Sequence, residues 1–258
     1  MPRYLPSTAP DPDQLADPIV GMAIDAPAPH DSGLHRHRRA QLMYAVSGVL
    51  QIRIGHTRCV LPPTMAAWIP SGLWHQAETG KPFAYRSLYF DPAVYPALPQ
   101  RPQVIAVGPL LRELIVRVAE WPLTPLEPAR QRLVEVLLDE ASRAPEQALS
   151  LPLPQDRRLL RIAEQLLQQS GDEATLEQLA AQAGASARTV NRLFQQQTGL
   201  SFSAWRRQLK MMEASRLLAE GESVSRVAAE LGYAQDSAFI AMFRRHAGLT
   251  PGQLKRSV

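Results

Sequence analysis

The feature that most constrains the fold is an internal repeat in the last third of the chain. "LAAQAGAS" begins at Leu179 and "VAAELGYA" begins at Val227, 48 residues later. Each copy has an alanine four positions before a glycine, then a phenylalanine followed five positions later by a second glycine: Ala180, Gly184, Phe194, Gly199; Ala228, Gly232, Phe243, Gly248. A match over that many positions predicts two copies of one supersecondary unit.

Each copy predicts a helix, a tight turn containing glycine, and a second helix, which is the helix-turn-helix arrangement. Gly184 and Gly232 are expected to adopt the left-handed backbone that ends a first helix. Ser186 and Ser237 stand near the starts of the second helices, where a hydroxyl can cap backbone amides or meet a phosphate. Residues 202–221 predict one linking helix of about 18 residues, so a single chain could reach two successive major grooves.

The distribution of charge favours a polyanionic partner for this half of the chain. The net charge is +4. Residues 1–154 carry 14 basic and 14 acidic side chains, whereas residues 186–258 carry 11 basic and 5 acidic ones. A basic half joined to a neutral half is typical of nucleic-acid binding, although a solvated helical surface has the same composition.

The two repeats and the helix between them resemble the AraC/XylS family of transcription regulators over about 100 residues. The resemblance rests on the segments "GASARTVNRLFQQQTGLS" and "VAAELGYAQDSAFIAMFRRHAGLTPGQLKR". The resemblance implies that base-reading positions lie early on each second helix: Arg188, Thr189, Asn191 and Arg192 in the first unit; Asp236, Ser237 and Ala241 in the second. Arginine can donate two hydrogen bonds to guanine, and asparagine can pair with adenine.

Four other arginines are expected to contact DNA phosphates: Arg206, Arg207, Arg244 and Arg245. The second unit offers no strong base donor at its reading positions. We therefore expect the first unit to read the sequence and the second to position the domain. Val190, Leu193, Tyr233 and Phe239 are expected to face the core.

The first half of the chain predicts a different fold. Residues 19–95 contain short β-rich segments separated by Pro, Gly and Ser, which favours a small barrel. Residues 96–144 predict a helical hairpin, with apolar stripes at Leu111, Leu114, Ile115 and Val118, and at Leu133, Val136, Leu137 and Ala141. The predicted organisation is a flexible arm (1–18), a barrel (19–95), the hairpin (96–144), a linker (145–156) and an all-α tandem helix-turn-helix domain (157–258), hence an α+β protein.

Two segments of the barrel resemble the motifs of cupins, in which two histidines, a glutamate and a third histidine bind a divalent metal. "HRHRRAQLMYAVSG" supplies His35 and His37, and "PSGLWH" supplies His75. Residues two apart on an extended chain share a face, so both early histidines are expected to face the interior. Three imidazoles suit zinc, iron or nickel. Gln41 stands where the acidic ligand is expected, so the sequence leaves open whether the trio binds metal or lines a pocket.

An effector pocket inside the barrel is predicted from Gln41, Tyr44, Trp68 and Trp74, whose aromatic rings could enclose a small molecule. Core packing is the alternative for the tryptophans. Cys59 is the single cysteine, which excludes an internal disulfide and a multi-thiolate metal site. No run of about 18 apolar residues is present, so no membrane span is expected.

The two halves together predict a sequence-specific DNA-binding regulator controlled by a small molecule or metal in the barrel. The partners expected are double-stranded DNA, a second copy of the chain and, for an activator, RNA polymerase. The expected location is the cytoplasm of a bacterium, and no catalytic residue is predicted. The alternative is a metal-dependent cupin enzyme with an accessory helical domain. The effector, the target sequence and the direction of regulation are left open.

Overall fold

The computed structural model describes residues 3–4, 8–26, 29–124, 127–147, 150–247 and 250–257; at 3–4, 246–247 and 256–257 it describes the backbone alone. The chain forms two compact units. One comprises Met1–Gly55 and Leu61–Gln147, and the other comprises His56–Val60 and Ala148–Ser257. The sheet-rich first unit and the helical second unit confirm the predicted α+β class.

The larger sheet of the N-terminal unit is formed, among the described residues, by β1 (Arg3–Tyr4), β2 (Ile19–Ala26), β4 (Ala40–Ser47), β7 (Met65–Ile69), β9 (Phe83–Phe90) and β10 (Gln103–Ala106). The order is β1-β2-β9-β4-β7-β10. β1 runs parallel to β2, and the other neighbours are antiparallel. β4 and β9 therefore lie in the middle of the sheet.

Both faces of the central strands are covered. Since side chains alternate along a strand, Leu42 and Tyr44 of β4 lie on one face with Leu88 and Phe90 of β9. That face packs against helices α1 (Pro109–Ala119) and α2 (Pro128–Arg143). The opposite face borders a cavity.

The two helices form the predicted hairpin, with one difference in α2. Helix α1 buries Leu111, Leu114, Ile115 and Val118, as expected. Helix α2 buries Val134, Leu137 and Ala141, whereas Val136 is 44% exposed. Residues two apart point to nearly opposite sides of a helix, so only one of the two valines can face the sheet.

A smaller sheet in the same unit contains β3 (His30–Asp31), β5 (Leu50–Ile54) and β8 (His75–Thr79), in the antiparallel order β5-β8-β3. The turn at Ser47-Gly48 joins β4 to β5. Gly48 has φ +75°, and a Cβ atom there would lie 2.8 Å from the carbonyl oxygen of Pro82. Glycine is therefore required at this turn.

The C-terminal unit is helical apart from one strand pair. Strand β6 (Thr57–Leu61) pairs antiparallel with β11 (Ser150–Pro152). The helices of the described residues are α3 (Arg157–Gln168), α4 (Leu176–Gln182), α5 (Ala187–Thr198), α6 (Phe202–Ala219), α7 (Val224–Glu230), α8 (Asp236–Ala247) and α9 (Pro251–Ser257). Helix α6 confirms the long linking helix between the repeats.

The repeat folds as two helix-turn-helix units, α4–α5 and α7–α8. Gly184 and Gly232 lie in their turns with φ values of +65° and +75°, the left-handed conformation expected. Ser186 caps α5, where its hydroxyl accepts a hydrogen bond from the backbone of Thr189. The last landmark of the repeat, Gly248, lies outside the described residues.

Two connecting segments carry local structure. In the segment predicted as a flexible arm, Pro12–Gln14 form a 3-10 turn and Leu15 packs against Met22 and Tyr89; residues 1–2 and 5–7 of that segment lie outside the described residues. In the predicted linker, β11 precedes α3, and residues 148–149 lie outside them. Over the described part of the chain, no helix is long and apolar enough to cross a membrane.

Candidate functional site

The three histidines singled out in the sequence meet at one place in the N-terminal unit. His35 and His75 face each other across an isolated antiparallel bridge, with backbone N–H to carbonyl distances of 2.9 and 2.8 Å. The ring centroid of His75 lies 4.3 Å from that of His35 and 4.8 Å from that of His37. One ring nitrogen of each lies within 4.8 Å of the other two, so the three can contact one small ligand.

Each of the three rings is held by a backbone carbonyl two residues away. The Nδ1 atoms of His35, His37 and His75 lie 3.0, 2.6 and 2.9 Å from the carbonyl oxygens of Gly33, Arg39 and Leu73. A carbonyl oxygen can only accept, so each Nδ1 carries the proton. In a neutral ring with this tautomer, Nε2 is the nitrogen that can bind a metal ion or accept a hydrogen bond.

Burial keeps the inner two rings neutral. Burial lowers the pKa of His75 to about 3 and lowers the pKa of His37 as well. The Nε2 atom of His75 is buried and has no hydrogen-bond partner among the described residues. An unpaired buried acceptor costs free energy, so this atom is available to a bound molecule, whether a water, a metal ion or an organic ligand.

Gln41 places its amide beside the trio. Its Nε2 donates to the Ser87 hydroxyl at 2.8 Å and to the Tyr89 hydroxyl at 3.1 Å, which leaves Oε1 3.1 Å from the Nε2 atom of His37. The Gln41 side chain therefore links His37 to Ser87 and Tyr89 of β9.

A cavity of about 430 Å³ adjoins the cluster, within the size range of small-molecule sites. Its lining includes His35, Gln41, Met43, Tyr85 and Tyr89. Among the described residues, its lining contains no lysine or arginine. An anionic ligand would therefore lack a cationic partner unless a metal ion supplied the charge.

Three of the four residues predicted for the pocket lie elsewhere. Tyr44 and Trp68 belong to the core under the helical hairpin, and the Tyr44 hydroxyl donates to the carbonyl of Pro63 at 2.7 Å. Trp74 is half exposed and stacks with Arg36. Gln41 and Tyr44 are three apart on one strand, so they face opposite sides of the sheet and cannot both line the cavity.

The aromatic lining comes instead from β9, which the sequence reasoning overlooked. Tyr85, Ser87 and Tyr89 alternate along "FAYRSLYF" and share the cavity face. The same period of two that placed the histidines together would have found them. In the sequence, the sign of a cavity face was that Tyr85, Ser87 and Tyr89 place hydroxyl groups at alternate positions of an otherwise mostly apolar strand.

The outward surface of α5 carries the predicted base-reading residues. Arg188 and Arg192 are exposed, and Arg192 lies 3.4 Å from the Gln196 side chain. The Thr189 hydroxyl contacts the capping Ser186 at 3.0 Å. Asn191 accepts a hydrogen bond from the backbone N–H of Phe202, so its carbonyl oxygen is engaged within the protein. Val190 is buried and Leu193 is half-buried, as expected.

The arginines predicted to contact phosphates divide into two kinds. Arg207, Arg244 and Arg245 are exposed. Arg206 is half-buried, and its guanidinium donates to the carbonyl oxygens of Ala174, at 2.6 Å, and Asp172. Arg206 therefore holds the turn before α4 in place.

The second unit presents a different surface. Asp236 accepts a hydrogen bond from the hydroxyl of Ser225 on α7, so its carboxylate joins the two helices of the unit. Ser237 is exposed, with its hydroxyl 3.5 Å from the side-chain oxygen of Gln235. Phe239 is buried in the core, and Tyr233 packs at its edge.

A sheet-rich unit with a ligand-sized cavity and a helical unit with two helix-turn-helix motifs define a class of two-domain transcription regulators. The family model for the AraC-like ligand binding domain matches residues 20–195, and the model for a helix-turn-helix domain matches residues 179–257. The chain belongs to the AraC family of transcription regulators.

The chain is similar to several named proteins. The chain is 33% identical over 245 residues to the HTH-type transcriptional regulator NimR of Escherichia coli K12, covering 94% of this chain and 89% of that one. It is 42% identical over 100 residues to RipA of Corynebacterium glutamicum, covering 39% and 30%. A solved DNA-binding transcriptional dual regulator of Escherichia coli K-12 is 27% identical, covering 39% and 89%, with a TM-score of 0.35.

Proposed function

We propose that this regulator changes its affinity for DNA when the cavity of its N-terminal unit is occupied, and that a divalent metal ion at His35, His37 and His75 is part of the occupant. Zinc, iron and nickel are the candidate ions. Binding to the chromosome would place the protein in the cytoplasm.

The observation that carries the metal proposal is the common orientation of the three imidazoles. Metal-bound histidines nearly always donate their other ring N–H to a carbonyl or carboxylate, which fixes the tautomer. All three Nδ1 atoms lie at hydrogen-bond distance from carbonyl oxygens, and the Nε2 atom of His75 is buried without a partner among the described residues. The Gln41 amide oxygen is placed to contribute beside His37. A bound ion would supply positive charge to a cavity whose described lining contains no lysine or arginine.

The alternative occupant is an organic molecule without metal. The cavity offers Met43, Tyr85 and Tyr89 as apolar and aromatic contacts, and the histidine Nε2 atoms would then accept hydrogen bonds from the ligand. This version also predicts control of DNA binding, but it predicts no metal in the protein.

Elemental analysis of protein purified without a histidine tag tests the metal proposal. We expect about one equivalent of zinc, iron or nickel per chain, removable by a chelator. Protein that carries no metal and takes up none on addition would contradict it and favour the organic effector. The enzyme alternative predicts that the metal-loaded protein turns over a substrate, whereas a regulator binds its effector unchanged.

We further propose that α5 recognises guanine through Arg188 and Arg192. Both are exposed near the start of the second helix of a helix-turn-helix motif, which enters the major groove in this class of fold. Selection of binding sites from random DNA should return a fixed guanine that becomes variable when either arginine is replaced by alanine.

The helical hairpin is the surface we propose for pairing of two copies. Leu110 of α1 and Val136 of α2 are 54% and 44% exposed. Light scattering should give a dimer for the full chain and a monomer for the Leu110→Glu, Val136→Glu double variant, with unchanged circular dichroism. A wild-type monomer at micromolar concentration would contradict this assignment.

A further inference from the structure

The outward surface of α8 differs in chemistry from that of α5. Helix α8 buries Phe239 and Phe243 on one side. Its opposite side carries Ser237, Ala241 and Arg244, which recur at three- and four-residue spacing and are exposed, with Ile240 beside them. This surface, defined by Ser237, Ile240, Ala241 and Arg244, is called the α8 surface below.

Hydrogen-bond readout from the α8 surface is limited. The carboxylate of Asp236 is held by Ser225, which leaves the Ser237 hydroxyl as the polar side chain of the surface's first turn. Arg244 lies eight residues beyond Asp236, or about 12 Å along the helix axis. Residues near the start of a recognition helix contact base edges, so Arg244 is better placed for the phosphate backbone.

The apolar part of the surface is exposed in the described part of the C-terminal unit. Ile240 is 36% exposed, and it is the one large apolar side chain so exposed among the described residues of the C-terminal unit. The adjacent Ala241 is exposed as well. The C5 methyl group of thymine is the apolar feature of base edges in the major groove, and small apolar side chains contact it.

We propose that α8 recognises thymine through contacts of Ile240 and Ala241 with C5 methyl groups in the major groove. The two helix-turn-helix units then read DNA by different chemistry, because α5 presents arginines and α8 presents apolar side chains. The short side chain at Ala241 lets the helix approach the base edges closely. The second unit contributes sequence preference as well as position.

Deoxyuridine scanning tests this proposal. A duplex that binds the full-length protein is first obtained by in vitro selection, and each thymine is then replaced singly by deoxyuridine, which lacks only the C5 methyl group. We expect about a fourfold loss of affinity at one or two positions, the value for removing one buried methyl-sized group. Those positions should all lie in one half of the DNA site, and the guanine read by α5 should lie in the other half.

Variants assign the effect to the proposed residues. Ile240→Ala and Ala241→Ser should remove the deoxyuridine penalty at those positions, and circular dichroism should confirm that both fold. The matched control is Arg245→Ala, which should weaken binding to all sequences and keep the penalty. Affinity unaffected by deoxyuridine at every position, or equal penalties in wild type and in both variants, would overturn the proposal. Loss of transcription regulation in Ile240→Ala without any change in DNA affinity would also overturn it, since Ile240 would then dock a protein.

Discussion

The side chain of Asn191 accepts a 2.9 Å hydrogen bond from the backbone N–H of Phe202, and so ties the recognition helix α5 to the start of α6. The N–H groups of a first helical turn lack partners within the helix, so a side chain that accepts from one stabilises the junction. Asn191→Ala should therefore lower the free energy of unfolding by about 1 kcal/mol.

The same variant separates a structural role from base reading. If Asn191 acts mainly through Phe202, Asn191→Ala weakens binding to all DNA sequences alike. Selection from random DNA measures this, because the base preferences of the variant should match those of the wild type. Loss of an adenine preference at one position would show instead that Asn191 pairs with a base.

Arg192 and Arg206 should behave differently although both are arginines of the DNA-binding unit. Arg192→Ala should cost about 1–3 kcal/mol at the cognate site and relax the preference at one base. Arg206→Ala should lower stability, because it releases the carbonyl groups of Asp172 and Ala174. Urea unfolding and fluorescence anisotropy on matched and mismatched duplexes distinguish the two effects. A specificity change in Arg206→Ala at unchanged stability is the result that would contradict this account.

Gly232 should tolerate alanine less well than Gly184, although both lie in turns with positive φ. Left-handed backbone costs an alanine about 1–2 kcal/mol at either position. At Gly184 the added Cβ meets nothing within 4 Å, whereas at Gly232 it meets the carbonyl oxygen of Gly171 at 3.0 Å. Urea midpoints should fall further for Gly232→Ala than for Gly184→Ala. Equal shifts would mean that the contact with Gly171 relaxes without cost.

The metal content of the protein should depend on the trio His35, His37 and His75, and not on the total number of histidines in the chain. His75→Ala and His37→Ala should lose the bound ion, while His56→Ala, which removes an exposed histidine outside the cluster, should retain it. Gln41→Glu should bind the ion more tightly, since a carboxylate offsets its charge and can accept from Ser87 and Tyr89. Metal retained in both trio variants would place the ion elsewhere.

The local rules that predicted much of this protein also explain where the predictions were wrong. The repeat placed both turn glycines correctly, because a left-handed residue after a helix is a local requirement. His35 and His37 were placed together because residues two apart share a face. The same rule places Tyr44 opposite Gln41, so the pocket predicted from both mixed the two faces of β4. Trp68 pairs with Leu42 of the neighbouring strand. It therefore lies on the same face of the sheet as Leu42 and Tyr44, in the core under the helical hairpin.

Long-range contacts explain what the sequence could not provide. Val134 and Val136 are equally apolar, and which of them is buried depends on which side of α2 packs against the sheet. Asn191 and Arg206 have the residue types of DNA contacts, but each meets a backbone group at least 11 positions away in sequence. Such partners depend on the packing of separate helices, which periodicity and spacing do not encode.

The measurement that tests the central claim most directly is the affinity of the full-length protein for its selected duplex with the metal bound and with the metal removed. We predict a change of about 5- to 150-fold, the usual range of coupling between two sites, in the wild type. The same comparison on His75→Ala should give no change. Equal affinities of metal-bound and metal-free wild type would contradict the claim that an ion at the histidine trio controls DNA binding.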